Sequence, residues 1–181
     1  MPVPETSHVE LYFPRAGDQA DERLAEFIRG PTDQLRLAIY SLNRPVIVAA
    51  ILEQHTAGVP LRLITDHVQS FGPGQLATLR ELQVAGVPIK VNHHSGLMHL
   101  KMAVRQDVLA IGSFNWTNNA EQANDEVLGI FTDGEQIARA AYVFDCMWAD
   151  TQRFTDWRPP TAAEMGAMLT ERPDLLQMPE F

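Results

Sequence analysis

Two copies of the tetrapeptide Ala-Gly-Val-Pro, at residues 57–60 and 85–88, constrain the fold more than any other feature of the chain. In each copy the glycine suits the end of a helix, and the following Val-Pro suits the start of a strand. Helical spacing of apolar residues precedes each copy, and a run of strand-forming residues follows it. Such joints are typical of right-handed βαβ units. The sequence therefore predicts an α/β fold with a mixed β-sheet flanked by helices.

The remaining elements follow from the same apolar patterns. Strands are predicted at 9–13, 35–42, 59–66, 87–92, 98–105, 108–113 and 126–131, and helices at 17–29, 45–57, 75–85 and 135–148. The strands at 98–105 and 108–113 form a predicted hairpin that turns at Gln106 and Asp107. A chain of 181 residues fits a single domain. We expect that domain over residues 1–150, followed by an irregular C-terminal arm with one short helix over 151–181.

The charge distribution indicates where an anionic substrate would bind. The net charge of -9 at first disfavours a phosphate-rich partner. Residues 34–120, however, hold 7 basic and 4 acidic side chains, for a local charge of +3, and both flanking segments are acidic. Five of the six histidines also lie in this central segment. An anionic substrate is therefore expected there.

Targeting features are lacking in the sequence. No apolar stretch approaches the roughly 18 to 20 residues that span a bilayer, and the first ten residues do not resemble a signal peptide. The lone Cys146 cannot form an intrachain disulfide, which fits a reducing compartment. We expect a cytoplasmic protein with no stable membrane association.

Four polar side chains in the predicted hairpin can form a phosphate site. Because side chains alternate along a strand, His99 and Lys101 share one face, and Ser113 and Asn115 share one face of the next strand. Pairing of the two strands brings the four together. An imidazole can act as a nucleophile or an acid and base, and the other three groups can donate to phosphate oxygens.

The pattern His99-x-Lys101 followed by Gly112-Ser113-x-Asn115 resembles the phospholipase D superfamily. The most similar members are small proteins with one motif per chain, including bacterial endonucleases and the mitochondrial cardiolipin hydrolase group. The resemblance covers roughly residues 9–148, with AIYSL at 38–42, GVPLRLITD at 58–66 and NNAEQANDEVLGI at 118–130. It implies a phospholipase D-like fold and a phosphodiesterase domain over residues 1–150.

The resemblance also implies roles for individual residues. One His99 would attack phosphorus to form a phosphohistidine, and a second His99 would protonate the leaving oxygen and then activate water. Lys101 and Asn115 would bind the phosphate, Ser113 would support it, and Glu126 would orient the imidazole. Phe114 and Trp116 alternate with the polar residues, which favours the core, although Trp116 beside a cleft could stack a base of the substrate.

Two such motifs are needed for this chemistry, and the chain contains one. Histidines 8, 55, 67, 93 and 94 are not followed two residues later by lysine. The resemblance therefore implies a symmetric homodimer with one site on its two-fold axis. It implies no metal and no other cofactor, and the spacing of His93, His94 and His99 matches no metal-binding pattern.

One position departs from the family pattern. The acidic residue expected seven positions after the histidine is Gln106 here, and the interval from His99 to Gly112 is one residue shorter. Asp107 could replace that acid through a tighter turn. We expect the fold to tolerate the change, while the level of activity stays open.

Three functions are compatible with these observations. The leading hypothesis is a metal-independent endonuclease that cleaves single-stranded DNA or RNA. An alternative is a hydrolase of cardiolipin-type phospholipids, and another is a weakly active nucleic-acid-binding or regulatory module. DNA, RNA and lipid are not distinguished by the sequence.

Overall fold

One mixed sheet of eight strands runs through the computed structural model, which describes residues 8–176. The strands are β1 (Val9–Tyr12), β2 (Leu35–Ile39), β3 (Leu61–Thr65), β4 (Ile89–Asn92), β5 (Lys101–Val104), β6 (Leu109–Gly112), β7 (Leu128–Phe131) and β8 (Phe154–Asp156). Their order across the sheet is β1-β7-β6-β5-β2-β3-β4-β8. Strands β2, β3 and β4 are parallel, and the other neighbouring pairs are antiparallel.

Six α-helices accompany these strands in the described part of the chain. They are α1 (Ala20–Arg29), α2 (Pro45–Thr56), α3 (Pro73–Val84), α4 (Asn118–Gln122), α5 (Gly134–Ala149) and α6 (Ala162–Glu171). Short 3-10 turns occupy 14–16, 69–71 and 173–176. No helix within residues 8–176 combines the length and apolar character needed to cross a bilayer.

The two Ala-Gly-Val-Pro joints form the turns predicted from the sequence. Gly58 follows α2 with a φ of +84°, and Gly86 follows α3 with a φ of +92°. Glycine reaches this left-handed region at the least cost, because it has no Cβ atom. Each joint then leads into a parallel strand, β3 or β4, as in a βαβ unit.

The sheet separates two apolar clusters. Leu37 and Leu63 face the cluster that includes residues of α1, α2 and α3, and Ala38 and Ile64 face the cluster around Phe144 of α5. Alternation along β2 and β3 therefore gives helices on both faces. The prediction of a single α/β domain with a mixed, helix-flanked sheet is confirmed.

The structure differs from the predicted elements after residue 150. Besides one short helix of the kind expected, the ten-residue α6, this segment contributes the unexpected strand β8, which pairs antiparallel with β4. Two of the three residues of β8, Thr155 and Asp156, are exposed and polar, so the strand has no apolar pattern in sequence. Its position depends on pairing with a strand more than sixty residues earlier.

Candidate active site

The open end of the β5–β6 hairpin gathers the predicted site residues. Strand β5 begins at Lys101 and β6 ends at Gly112, with Met102 opposite Ile111. His99 therefore precedes the hairpin and Ser113 follows it at the same edge of the sheet. The end of β2 lies at this edge too, because Ile39 pairs with Lys101.

His99 is exposed at this edge and contacts Tyr40. The two rings meet edge to face, with centroids 4.6 Å apart and an interplanar angle of 62°. Burial lowers the pKa of His99 below its usual range, the nearby Lys101 ammonium lowers it further, and the charge of Asp66 opposes both. A lowered pKa favours the neutral imidazole near pH 7, which is the form that can attack phosphorus.

The loop that carries His99 is fixed by Asp66, which directly follows β3. One oxygen of this buried carboxylate accepts a 3.0 Å hydrogen bond from the backbone N–H of Met98. The other accepts a 3.0 Å bond from the N–H of Gln69. The backbone on the N-terminal side of His99 is thereby tied to the sheet.

Lys101 is almost fully buried, with 6% of its surface exposed. Its Nζ donates a 2.9 Å hydrogen bond to the carbonyl of His99 and lies 4.8 Å from the centre of the Tyr40 ring. Burial lowers the pKa of Lys101 to about 8, and the charge of Glu126 opposes this. The chain's other lysine, Lys90, instead donates to the carbonyl of Trp148 at 2.7 Å, near the end of α5.

Ser113 and Glu126 form a hydrogen-bonded pair. The Ser113 hydroxyl donates to Glu126 at 2.5 Å and accepts from the backbone N–H of Val127 at 3.1 Å. The second Glu126 oxygen accepts from Asn124 at 3.3 Å. The described residues show no hydrogen bond between Glu126 and His99 within one chain, so the role of Glu126 in orienting the imidazole stays a prediction. Since Leu128 pairs with Gly112, the β7 register sets Glu126 beside Ser113 instead.

Asn115 has an unusual hydrogen-bonding state. Its Oδ1 atom is buried and has no partner among the described residues. Leaving a buried polar atom unpaired costs about 1–3 kcal/mol. A bound molecule or an ordered water can complete the hydrogen bonds of such an atom.

Trp116 belongs to the core, as does Phe114. The Trp116 side chain is 1% exposed, so its ring cannot stack on a base without leaving the interior. Its backbone is fixed by hydrogen bonds of 3.0 Å to Ser41 and of 2.9 Å from Asn43. The expected contact between Trp116 and substrate is therefore wrong, and the residue instead anchors the segment that carries Asn115.

Gln106 and Asp107 lie at the closed end of the hairpin, away from His99. Asp107 is exposed and approaches Arg105 at 3.5 Å, and Arg105 also donates to the carbonyl of Phe27 at 2.9 Å. Asp107 is thus remote from the groups that would bind phosphate, and its replacement of the family's acid stays a prediction.

Sequence reasoning missed Tyr40 as a site residue and the role of Asp66 in fixing the loop before His99. Both directly follow parallel strands, and the carboxyl ends of such strands share one edge of a sheet, where sites often form. This rule could have identified them.

Of the other histidines at this edge, His93 contacts the Thr155 hydroxyl and His94 contacts the Ser95 carbonyl. Within residues 8–176 no three His, Cys, Asp or Glu side chains are grouped so as to hold a metal ion.

Comparison with known proteins identifies one family model and several curated proteins that are similar to this chain. The family model described as "Cardiolipin synthase, PLD-like domain" matches residues 24–148. The mitochondrial cardiolipin hydrolase of Xenopus laevis is 34% identical over 136 residues, which cover 74% of this chain and 63% of the relative. The human protein of the same name is 31% identical over 134 residues, covering 73% and 52%. The chain thus spans between half and two thirds of these relatives.

Two solved structures share the fold. The phospholipase D family member Nuc from Salmonella typhimurium aligns with a TM-score of 0.76 at 20% identity, covering 84% of this chain and 99% of Nuc. NucT from Helicobacter pylori aligns with a TM-score of 0.72 at 22% identity, covering 83% and 99%. At these identities the likeness concerns the fold alone.

Proposed function

The chain belongs to the phospholipase D superfamily, and we propose that it is a metal-independent phosphodiesterase whose active site is shared by two copies of the chain. One observation carries the proposal: the exposed imidazole of His99 and the buried ammonium of Lys101 both contact the ring of Tyr40. This arrangement supplies an accessible nucleophile and a fixed positive charge for the phosphate that it attacks.

The reaction proceeds in two balanced steps. In the first, a ring nitrogen of one His99 attacks phosphorus, the bond from phosphorus to the leaving oxygen breaks, and the second His99 gives that oxygen a proton. In the second, a water molecule gives a proton to the second His99 and attacks phosphorus, and the bond between nitrogen and phosphorus breaks. Lys101 and Asn115 stabilise the charge on the non-bridging oxygens in both steps.

The second histidine comes from a second copy of the chain. This part of the proposal rests on the single His-x-Lys pattern in the sequence and on the exposure of His99, which leaves its ring accessible to another subunit. A two-fold axis beside His99 would bring the two rings together at one phosphate.

We take single-stranded nucleic acid as the substrate. The uncharged polar surface next to Asn115 supports this choice. A second candidate is a phospholipid of the cardiolipin type, which the names of the curated relatives favour.

A panel of substrates tests the proposal. Purified protein is incubated in EDTA with labelled single-stranded DNA, double-stranded DNA, RNA and cardiolipin vesicles, beside His99→Ala and the control variant His94→Ala. We expect the protein to cleave single-stranded nucleic acid in the presence of EDTA. His99→Ala should abolish this cleavage, and His94→Ala should retain it. Cleavage of vesicles alone would select the lipid candidate, and binding without cleavage would indicate a regulatory module.

A further inference from the structure

A polar cavity of about 240 Å³ adjoins the candidate active site. It lies between the segment after β2, the start of α3 and the helix α4. The side chains that matter for its chemistry are Tyr40, Asn43, Gln69, Asn115, Asn119 and Asn124. Two of these, Tyr40 and Asn115, also belong to the candidate active site, so a molecule bound at the phosphate position could extend into the cavity.

The wall of this cavity is uncharged and rich in carboxamides. Among the described residues that line it, none carries an ionisable acid or base other than the phenol of Tyr40. A second phosphate group would call for cations, and an acyl chain would call for an apolar wall. Carboxamides both donate and accept, which suits the mixed donor and acceptor edge of a nucleobase.

Hydrogen bonds within the wall hold it in place before any ligand binds. Gln69 donates to the Tyr40 hydroxyl at 2.8 Å, and Asn43 accepts from the N–H of Asn118 at 3.2 Å. Gly74 permits close packing here, because a Cβ atom at this position would lie 3.1 Å from the Asn43 amide nitrogen. A preformed wall reduces the entropy that a ligand must lose on binding.

The cavity is coupled to the reacting centre through Tyr40. The ring of this residue contacts His99 on one side, and its hydroxyl accepts the bond from Gln69 on the cavity side. Asn115 also links the cavity to the candidate active site, because it belongs to both. Its buried Oδ1 has no partner among the described residues and is free to accept a hydrogen bond from a ligand.

We propose that this cavity is a subsite for one unpaired nucleobase adjacent to the scissile phosphate. The inference rests on the proposed phosphodiesterase function and specifies its substrate. A base can enter only after it has left its stack and its pairing partner, so the subsite favours single strands over duplexes.

Dinucleoside phosphates with and without each base test the subsite. The substrates are an intact dinucleoside phosphate, the two analogues of it that each lack one base, and the base-free diester bis(p-nitrophenyl) phosphate. Loss of the base on one side should lower kcat/KM by about tenfold or more, which corresponds to at least about 1.4 kcal/mol. Loss of the base on the other side should have a much smaller effect.

Variants assign the effect to the cavity. Asn119→Leu replaces a lining carboxamide with an apolar side chain, and Gln122→Leu makes the matched change at an exposed position of the same helix, α4. The ratio of kcat/KM with and without the base should fall toward one in Asn119→Leu and persist in Gln122→Leu. The ratio measured on the unaltered protein remains decisive if Asn119→Leu fails to fold.

The outcomes separate the two proposals. Equal cleavage of the intact and base-free dinucleotides would overturn the subsite and leave the phosphodiesterase standing. Failure to cleave any diester, including bis(p-nitrophenyl) phosphate, would overturn the proposed function itself. Cleavage of cardiolipin vesicles without cleavage of dinucleotides would assign the cavity to a lipid headgroup and overturn the nucleobase proposal.

Discussion

The ammonium of Lys101 lies 4.8 Å from the centre of the Tyr40 ring and is almost fully buried beneath the exposed His99. Its hydrogen bond to the His99 carbonyl fixes the charge next to the imidazole. Burying an ammonium costs free energy unless an anion compensates it. A phosphate bound at this edge would supply that anion, so the unliganded fold bears a cost that substrate relieves.

Replacing this buried charge should therefore stabilise the fold. Lys101→Met should raise the free energy of unfolding by about 1 kcal/mol at pH 7. The drop in pKa from 10.5 to about 8 corresponds to a cost of about 3 kcal/mol, and loss of the hydrogen bond to His99 and of the contact with Tyr40 offsets most of the gain. Lys101→Met should also abolish phosphodiesterase activity. Urea unfolding at one fixed protein concentration and a cleavage assay measure the two effects.

The pH dependence of this gain has a defined sign. The folded pKa of Lys101, about 8, lies below the usual lysine value of 10.5, so the cost is complete below pH 8 and disappears as pH rises toward 10.5. The difference in the free energy of unfolding between Lys101→Met and the unaltered protein should therefore shrink between pH 8 and pH 10.5. Lys90→Met, which removes the bond to the Trp148 carbonyl, should instead destabilise the fold. A destabilised Lys101→Met would contradict the interpretation.

The pH profile of kcat/KM should have its optimum below pH 7. In the proposed shared site two His99 rings would titrate as a pair, and the active form would have one neutral and one protonated ring. The lowered pKa of His99 moves that form to the acidic side, and loss of the Lys101 proton near pH 8 removes phosphate binding as well. An optimum near pH 9 would be incompatible with these assignments.

Gln106→Asp should change kcat/KM by less than about tenfold, or roughly 1.4 kcal/mol. Residue 106 lies at the closed end of the hairpin, where Asp107 already approaches Arg105 at 3.5 Å. Steady-state kinetics of the two proteins provide the measurement. A large increase in rate would mean that the native residue impairs catalysis, and it would favour a regulatory module.

Mixed dimers test whether the site is shared. Two copies with different affinity tags, one of them His99→Ala, can be purified together as a heterodimer. If each reaction uses both imidazoles, this heterodimer should lose activity by about 100-fold or more, the usual contribution of a general acid. Retention of half the activity would show that each chain works alone, as would a fully active monomer.

Much of the architecture follows from local sequence signals. The joints at Gly58 and Gly86 fix the parallel strands, and alternation places His99 and Lys101 at the hairpin edge. The contacts that assemble the site depend instead on pairing between distant segments. The partner of Glu126 is set by the register of β7 against β6, and the burial of Trp116 by its bridge to Leu42.

Isolated polar residues were the hardest to recognise. Asp66 follows an apolar strand as a single acid, and nothing in the local pattern indicates that it accepts a hydrogen bond from Met98, 32 residues later. The same holds for β8, whose pairing with β4 depends on the tertiary structure. Side chains whose partners lie far along the chain carry no periodic signal.

The most direct measurement is a search for phosphate on His99 during turnover. Protein mixed with single-stranded oligonucleotide in EDTA is quenched in base, digested and analysed by mass spectrometry. The proposed mechanism predicts an acid-labile, base-stable bond between a His99 nitrogen and a phosphorus atom that still carries one nucleotide as an ester. It also predicts a loss of several orders of magnitude in rate for His99→Ala with the fold and dimer intact. An enzyme that is inactive in EDTA and recovers with Mg²⁺ or Zn²⁺, or one that keeps its rate after His99→Ala, would contradict it.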